Sequence, residues 1–442
     1  MSGLIDRVRG VLHALGRPTA ADDPAPSDGG VLEMLGAIGP ALLASNQATN
    51  DVQDTLQSLA DAYGRSDLRV FVLPTLVMVE DSSTTPSETA IFPAHESALR
   101  LDQAGAVEHV VRSAARERLE PKNVTAEIAK IWKAAPRFGP VLTVLGHTLL
   151  SLGFGMVINP TITALPVYVV LGAVVGVIVL IGSRAGTLSL ILPVFTAFAV
   201  TVLISWVVKP IVHDDVLRLV APSLVSFLPG LTLTIAAVEL TSGQVIAGAS
   251  RLVYGIARLG LLAFGVFAGI SVTGEPTSVT TTPTQLGSWA PWVGIVLVSL
   301  GYYLFSAAPK RSLVWILYAL VVAYTAQLLG NLVVGPELSG LIGAAIVVPA
   351  VYLAARLKAA PPSAIMLTCA YWLLVPGAMG FIGISEAAAG TAGAINTILQ
   401  TFGSLIAIAI GMVIGAGVSR DVKAAARAWQ SVEPGASTET VK

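Results

Sequence analysis

The sequence predicts an α-helical polytopic membrane protein with about ten transmembrane helices, arranged as two inverted five-helix repeats behind a small soluble α+β domain. Three observations carry that prediction. The 442 residues have a mean hydropathy of +0.77 and only 12% charged side chains, where a soluble protein carries about 25%. The charge is also uneven: residues 1–139 hold 31 of the 53 charged side chains, and residues 140–418 hold only 15. A stretch so long and so poor in charge cannot cover itself in water. Finally, residues 227–243 (FLPGLTLTIAAVELTSG) align without a gap on 374–390 (LVPGAMGFIGISEAAAG), an offset of 147 that superposes five apolar segments on five.

Composition excludes several classes. A net charge of −1 leaves no basic field for nucleic acid. The single cysteine, Cys369, lies inside an apolar run and offers neither a disulfide framework nor a thiolate metal site. Five scattered histidines show no HxxH or HExxH spacing, so no metal and no cofactor are expected. No secretory signal is expected either, since the first long apolar run begins near residue 140. Few Lys beside abundant Arg, Ala, Gly and Val is the composition of a GC-rich bacterial genome.

Residues 1–30 read as tail and linker. Leu4, Ile5, Val8, Val11, Leu12 and Leu15 fall at helical spacing opposite Arg7 and Arg9, which fits a short helix on an anionic membrane surface or a frayed tail equally well. Pro18 to Gly30 reads as a flexible linker. Residues 31–139 follow as the soluble, cytoplasmic domain. Val31, Leu32, Leu35, Ile38 and Leu42 predict one helix; Val52, Leu56, Leu59 and Tyr63 predict a second, closed by Gly64. Residues 69–79 are rich in β-branched side chains and read as a strand interrupted by Pro74. After a Ser/Thr/Pro loop at 82–89 comes a weaker strand near 97–101. Helices near 104–119, with Val107, Val110, Val111 and Ala114 inward, and near 124–134, entered by Thr125, lead to the membrane. This domain contains no GxSxG, P-loop or metal spacing, so an enzyme is not predicted; Asp51, Asp54, Asp61, His95 and His109 read as solvated surface.

Ten apolar segments follow at about 140–158, 164–183, 187–208, 216–238, 245–271, 288–307, 312–333, 338–357, 363–384 and 394–418, each near the twenty residues a span needs. The first repeat is 140–272, the second 287–418, and 419–442 is a tail. With the soluble domain inside, the inner loops carry Arg184, Arg251, Lys310, Arg311, Arg356 and Lys358, and the outer loops only Lys209 and Arg218 beside Asp214 and Asp215. That positive-inside bias places both termini in the cytoplasm.

Five spans per half is an odd number, so the halves must cross in opposite senses. Inverted repeats are a transporter architecture with its substrate site near the midplane. Each half puts Pro-Gly inside its fourth apolar segment, at Pro229-Gly230 and Pro376-Gly377. Proline removes a helical hydrogen bond, and broken backbone is tolerated at membrane depth only where it is buried in protein or lines a cavity. Glu239 and Glu386 stand nine residues beyond the breaks. Two readings of this matched pair stand: carboxylates that carry protons or gate, or span ends wetted by the interface.

Arg251 and Arg258, seven apart, share one face of the fifth span, and their equivalents Ile398 and Leu405 are apolar. Snorkelling to the headgroups is the expectation for Arg251 and a buried role for Arg258, and either can pair with Glu239. His147 fits a proton relay or a hydrogen-bonded structural histidine. Thr232 and Thr234 beside the first break, and Asn396, Thr397, Gln400 and Thr401 on the last span, suit a small zwitterion but also serve as interhelical glue. Gly403, Ala407, Gly411 and Gly415 form a small-residue face that packs within one protomer or between two, so a homo-oligomer stays open.

The run SFLPGLTLTIAAVELTSGQVIAGASRL, together with LLVPGAMGF in the second half, resembles the threonine/serine exporter family. The resemblance runs from about residue 31 over nearly the whole chain, and includes the soluble helix ending in Ala-Tyr-Gly. Pro229, Gly230, Glu239, Gly243, Gly248 and Arg251 match its first motif, and Pro376 and Gly377 its second. It implies ten spans, a cytoplasmic N-terminal domain and export of threonine and serine across the bacterial plasma membrane, driven by the proton gradient. Ile235 departs from the family pattern, which carries Asn after Leu-Thr, and puts the substrate range in question. On the residues alone, a transporter of a dicarboxylate or dipeptide, or a membrane enzyme or sensor acting through the soluble domain, remains open. The expected partners are the small-molecule substrate and the lipid bilayer.

Overall fold

The computed structural model describes residues 30–431 except 84, 96, 183–187, 209–211, 213, 275–283, 337, 358, 375–376 and 389–393; the side chains of 188–190, 377–379, 388 and 420–431 are likewise outside the description. The amphipathic tail at 4–15, the linker, Pro376 and the loop cations Arg184, Lys209 and Lys358 therefore lie outside the described residues.

The soluble domain opens with helices α1 (Val31–Ala44) and α2 (Thr49–Ala62), continues through a three-stranded sheet, and closes with α3 (Leu101–Glu117) and α4 (Pro121–Lys133). Strands β1 (Leu68–Leu73), β2 (Leu76–Asp81) and β3 (Glu88–Pro93) form an antiparallel meander in the order β1-β2-β3. The interrupted strand expected at 69–79 is a hairpin, with Leu73 paired to Leu76 across the two-residue turn Pro74-Thr75. Proline lacks the N–H a ladder needs, and its fixed φ suits a turn.

The strand expected near 97–101 does not form. The third strand lies earlier, at 88–93. At 97–101 no strand lies alongside: the Leu99 N–H donates to the Ala44 carbonyl at the end of α1, and α3 begins at Leu101 rather than 104. Val70, Val72, Val77 and Val79 face α1, where they join Met34, Leu35, Ile38, Leu56, Leu59, Val107 and Ile128 in one core. Tyr63 is wholly buried and its hydroxyl donates to the Leu119 carbonyl (2.6 Å). Burial raises the Tyr63 pKa above its usual value. Arg65 bridges Asp67 and Asp81 (2.8 and 2.7 Å), closing the α2–β1 turn on β2. Hydrogen bonds from Ser83, and then the Arg65 pair, hold the Asp81 carboxyl down at about 2.

Beyond residue 139 the chain is helical. Among the described residues six helices are long and apolar enough to cross a membrane: Pro140–Ile158, Leu165–Gly182, Ile191–Val208, Val245–Thr273, Leu313–Val334 and Ala394–Ser419. The corresponding elements are α5 (Pro140–Ile158), α6 (Leu165–Gly182), α7 (Leu188–Leu203, continued by a π turn Ile204–Val208), α10 (Val245–Thr273), α12 (Leu313–Val334) and α16 (Ala394–Ser431). The other four apolar segments form shorter helices. Two are continuous, α11 (Ala290–Phe305) and α13 (Ser339–Ala354). One is divided ahead of Gly230, into α8 (Val216–Ser223) and α9 (Gly230–Thr241). The last is described as α14 (Ser363–Leu374) and α15 (Gly377–Ala388), on either side of positions 375–376, which lie outside the description. The chain is a mostly helical, polytopic membrane protein. Exposed Val170, Phe195, Phe264, Leu332, Val333 and Ile395 present the apolar surface such a protein gives to lipid.

A close backbone crossing joins α5 to α11. A Cβ on Gly153 would stand 2.7 Å from the Gly294 carbonyl oxygen, and one on Gly301 would stand 2.7 Å from that of Gly146. Two glycines seven apart on each helix thus let two backbones touch. The expected Gly411/Gly415 face packs inside the protomer, where a Cβ on Gly411 would strike the Leu341 carbonyl of α13; nothing stands within 4 Å of Gly403. At the end of α5 away from the soluble domain, Thr161 bridges to Gln285. There Asp214 is buried, accepting from Thr161 Oγ1 (2.7 Å) and Asn159 Nδ2 (3.2 Å), rather than exposed on a loop as its sequence neighbours imply.

Gly153→Leu should cost about 1–3 kcal/mol through overpacking of the α5–α11 crossing. The same change at Gly403 should be nearly silent, and thermal unfolding of the detergent-solubilised protein reads both.

Candidate functional site

The first Pro-Gly break builds the site. Pro229 is the N-cap of α9 and Gly230 its first residue. The first-turn N–H groups of α9 have no acceptor inside their own helix, which gives this end the character of an anion site. Gly230 lines a cavity of about 440 Å³ within the helical bundle. Around it converge the side chains of Tyr324, Gln327 and Asn331 from α12, Ser339 from α13, Trp372 from α14, and Gln400 and Ser404 from α16. Among the described residues no charged side chain lines it. Such a chamber, mostly apolar with a few convergent polar groups, suits a small neutral or zwitterionic molecule.

A second cavity of about 440 Å³ lies between the membrane helices and the soluble domain. Its roof is the α1–α2 turn with Ser45, Asn46, Gln47, Asn50, Asp51 and Asp54, and Glu108 from α3. Its floor comes from Thr234, Ile235, Val238 and Ser242 on α9, Val348 and Tyr352 on α13, Thr368 and Tyr371 on α14, and Met412 and Ser419 on α16. The same four helices, α9, α13, α14 and α16, thus line both chambers at successive levels. Between the two levels Leu374, Ile408 and Met412 belong to one packed cluster with Ala344 and Val347. Asp51 and Asp54 are exposed, as expected of solvated surface, and they also border this chamber because α2 docks onto the bundle.

Glu239 is wholly buried at the end of α9, so it is not a span end wetted by the interface. Its Oε1 accepts the backbone N–H of Thr49 (2.9 Å), the first residue of α2 in the soluble domain. Its Oε2 lies 3.1 Å from Arg251 Nε, in an ion pair whose arginine side chain is 13% exposed. Arg251 thus turns inward instead of snorkelling: α9 and α10 form a tight hairpin that delivers its guanidinium to the carboxylate. Gly243 makes the turn at φ +82°, where a side chain would be strained, and a Cβ on Gly248 would stand 2.8 Å from the Ala236 carbonyl oxygen.

Arg258 is not the buried partner expected. It is half-buried on α10, its guanidinium 5.8 Å from the Tyr254 ring centre, and Arg251 already holds Glu239. His147 is fully buried in α5, with Nδ1 2.8 Å from the Gly172 carbonyl and Nε2 2.9 Å from Ser226 Oγ. A ring nitrogen facing a carbonyl must carry the proton, so Nε2 accepts from the serine hydroxyl; His147 lines neither chamber. Glu386 is half-buried, with Thr397 Oγ1 at 3.4 Å. Thr234 is buried and lines the second chamber, its hydroxyl donating to the Gly230 carbonyl; Thr232 is half-buried and Asn396 exposed, and neither lines a chamber. Gly377 begins α15 as Gly230 begins α9.

Gln327, Asn331 and Tyr324 went unnoticed in the sequence. Their signal is the spacing of three polar-tipped residues, one turn apart or nearly so, in an apolar span.

Residues 33–273, more than half of the chain, match a family model described as "Putative threonine/serine exporter". The chain belongs to the threonine/serine exporter family. Within that match, Pro229-Gly230, Glu239, Gly243, Gly248 and Arg251 are the residues that make the α9–α10 hairpin of this exporter-family protein. No curated protein and no solved structure matches the chain.

Arg251→Met should destabilise the protein by about 3–5 kcal/mol, because it strands a buried carboxylate. Combining it with Glu239→Gln should recover part of that loss, and a double-mutant cycle of unfolding free energies measures the coupling.

Proposed function

We propose that the protein exports small hydroxylated amino acids, threonine and serine, from the cytoplasm by proton antiport with alternating access. The observation that supports this reading is the pair of chambers stacked on α9, α13, α14 and α16 with a packed apolar layer between them. A pathway closed by one thin layer is what alternating access requires. In the inner chamber the α9 N-terminus receives the substrate carboxylate, and the oxygens of Gln327, Asn331 and Gln400 receive the ammonium and hydroxyl groups. Among the described residues the lining is neutral, which favours a zwitterion over a dicarboxylate.

In this reading ten segments cross the membrane as two inverted five-helix repeats. The sequence offset of 147 sets α9 against α15 and Glu239 against Glu386. The chain alternates ends: Glu239, Ser306 and Ser419 lie by the soluble domain, and Thr161 and Gln285 at the other end. The soluble domain and both termini are cytoplasmic, in the plasma membrane of a bacterium. Glu239 and Glu386, at matched positions of the two half-helices and so near opposite faces of the membrane in this inverted arrangement, are the carboxylates for coupling to the proton gradient, with Arg251 as the counter-charge of the first. The protein works without a bound cofactor and does no covalent chemistry.

Cells preloaded with radiolabelled threonine should lose it faster with the wild-type protein than without it, and a protonophore should abolish the difference. Gln327→Leu should cut the rate by about tenfold or more, the scale of one or two lost polar contacts. Efflux equal to that of empty cells would remove threonine as the cargo.

A further inference from the structure

The soluble domain carries no catalytic motif, yet it roofs the chamber nearest to it. How it is held there differs between its two flanks. On one flank it is continuous with the bundle. The Leu101 N–H donates to the Ser306 carbonyl (3.0 Å), and Arg137 Nη1 donates to the Ala308 carbonyl (2.6 Å). Gly105 packs so closely that a Cβ there would stand 2.9 Å from Ile365 Cδ1, and Leu101 is buried in the same cluster as Leu150, Ile316 and Cys369.

On the other flank, at the α1–α2 turn that forms the roof, the tie is polar. Helix α2 has no side-chain cap of its own: its N-cap is Ala48, and the acceptor for Thr49 N–H comes from Glu239, 190 residues away in sequence. A carboxylate from a membrane helix thus caps a helix of the soluble domain, with the favourable dipole of that helix end behind it. Because Arg251 neutralises the same carboxylate, the cap can sit in a dry interface.

We propose that the soluble domain is a gate over the chamber it roofs, pivoting on the Leu101–Gly105 flank and latched by the Glu239–Thr49 contact. Opening breaks the charge-assisted Glu239–Thr49 hydrogen bond and exposes the floor, including Thr368, which lines the chamber at 8% exposure. Closing rebuilds the cap and pulls the end of α9 against the roof. Since α9 carries the Pro229-Gly230 break at its other end, the gate position is passed mechanically along one 12-residue half-helix, about 18 Å long. As the mouth of a transport path, this gate rests on the export reading; as a latch, it does not.

Thr49→Pro tests the latch with little other disturbance. Proline removes the N–H donor but is well tolerated at the first position of a helix, and Ala48, at φ −70° and ψ 148°, already has the extended backbone that precedes proline. In a full-length Cys369→Ala protein carrying Thr368→Cys, a hydrophilic maleimide should react about fivefold faster or more when Thr49→Pro is added, the scale of a lost helix cap. Glu239→Gln should raise the rate in the same direction. The native buried thiol of Cys369, probed in Thr49→Pro alone, should stay unreactive. Unchanged labelling of Thr368→Cys in both variants overturns the latch, as does an equal rise at Cys369, which would mean general loosening.

A second measurement asks whether transport needs the gate. In the Cys369→Ala background, joining Asn46→Cys to Ser242→Cys with a reducible bis-maleimide should stop threonine efflux, and reduction should restore it. Efflux undiminished while cross-linked overturns the gate. If no variant, including wild type, moves threonine, the export reading fails while the labelling result still decides the latch.

Discussion

A carboxylate removed from water must be matched by charge and by hydrogen-bond donors, and most of this architecture follows from how Glu239 is matched. Its two oxygens have two different clients, the Arg251 guanidinium and the Thr49 N–H. The first requires α9 and α10 to fold back on each other through Gly243 and Gly248. The second requires the soluble domain to sit directly on the membrane helices. Burying this group unpaired would be costly, so the contacts stand or fall together. A second acid approaches the same interface from the opposite direction. Glu108 of α3 is paired with Arg112, and the Ala364 N–H at the start of α14 also favours its charged form. Burial nonetheless dominates and raises its pKa above the usual carboxylate range.

The bundle meets a different constraint with a different device. Inside lipid, apolar burial drives helices together only weakly, so tight contact comes from removing side chains. Gly146 and Gly153 on α5, set against Gly301 and Gly294 on α11, do this where the first helix of one half meets the first helix of the other. The seam borders the first chamber on one face only, where Phe154, Val157 and Ile158 of α5 line it. The polar part of that lining comes from other helices, through Gln327, Asn331 and Gln400. Close backbone packing and polar lining are thus assigned to different helix faces.

Much of this was legible in the sequence, and the remainder was not for identifiable reasons. The apolar segments, the Pro229-Gly230 break and the choice of Glu239 as a candidate acid follow from local composition and spacing, which the bilayer enforces residue by residue; the burial that decides against an interface-wetted span end came only with the fold. The Arg251 pairing was within reach, since twelve residues and a glycine turn separate it from Glu239. The Thr49 contact was not, because no periodicity links a backbone N–H to a side chain 190 positions away. Pro74 illustrates a local failure: a proline in a β-branched run marks either a broken strand or a turn, and only the Leu73–Leu76 register decides. Asp51 reads as surface and is exposed, but that it also borders a chamber follows only from the docking of α2, since a helix polar face at a docked edge has the same pattern as one facing bulk water. Gln327 and Asn331 had the right spacing but were outweighed by the apolar residues around them.

Helix α16 runs unbroken from Ala394 past Ser419, about 39 Å over that stretch, and lines one chamber with Gln400 and Ser404 and the other with Met412 and Ser419. Between the two levels Ile408 lies against Gly340, where a Cβ would approach it to 2.6 Å. The seat on α13 continues through Gly411 and Gly415, against Leu341 and Val348, so the rod is held along its second half rather than at one point. A rod seated in this way moves as one piece, and any displacement of it alters the walls of both chambers together.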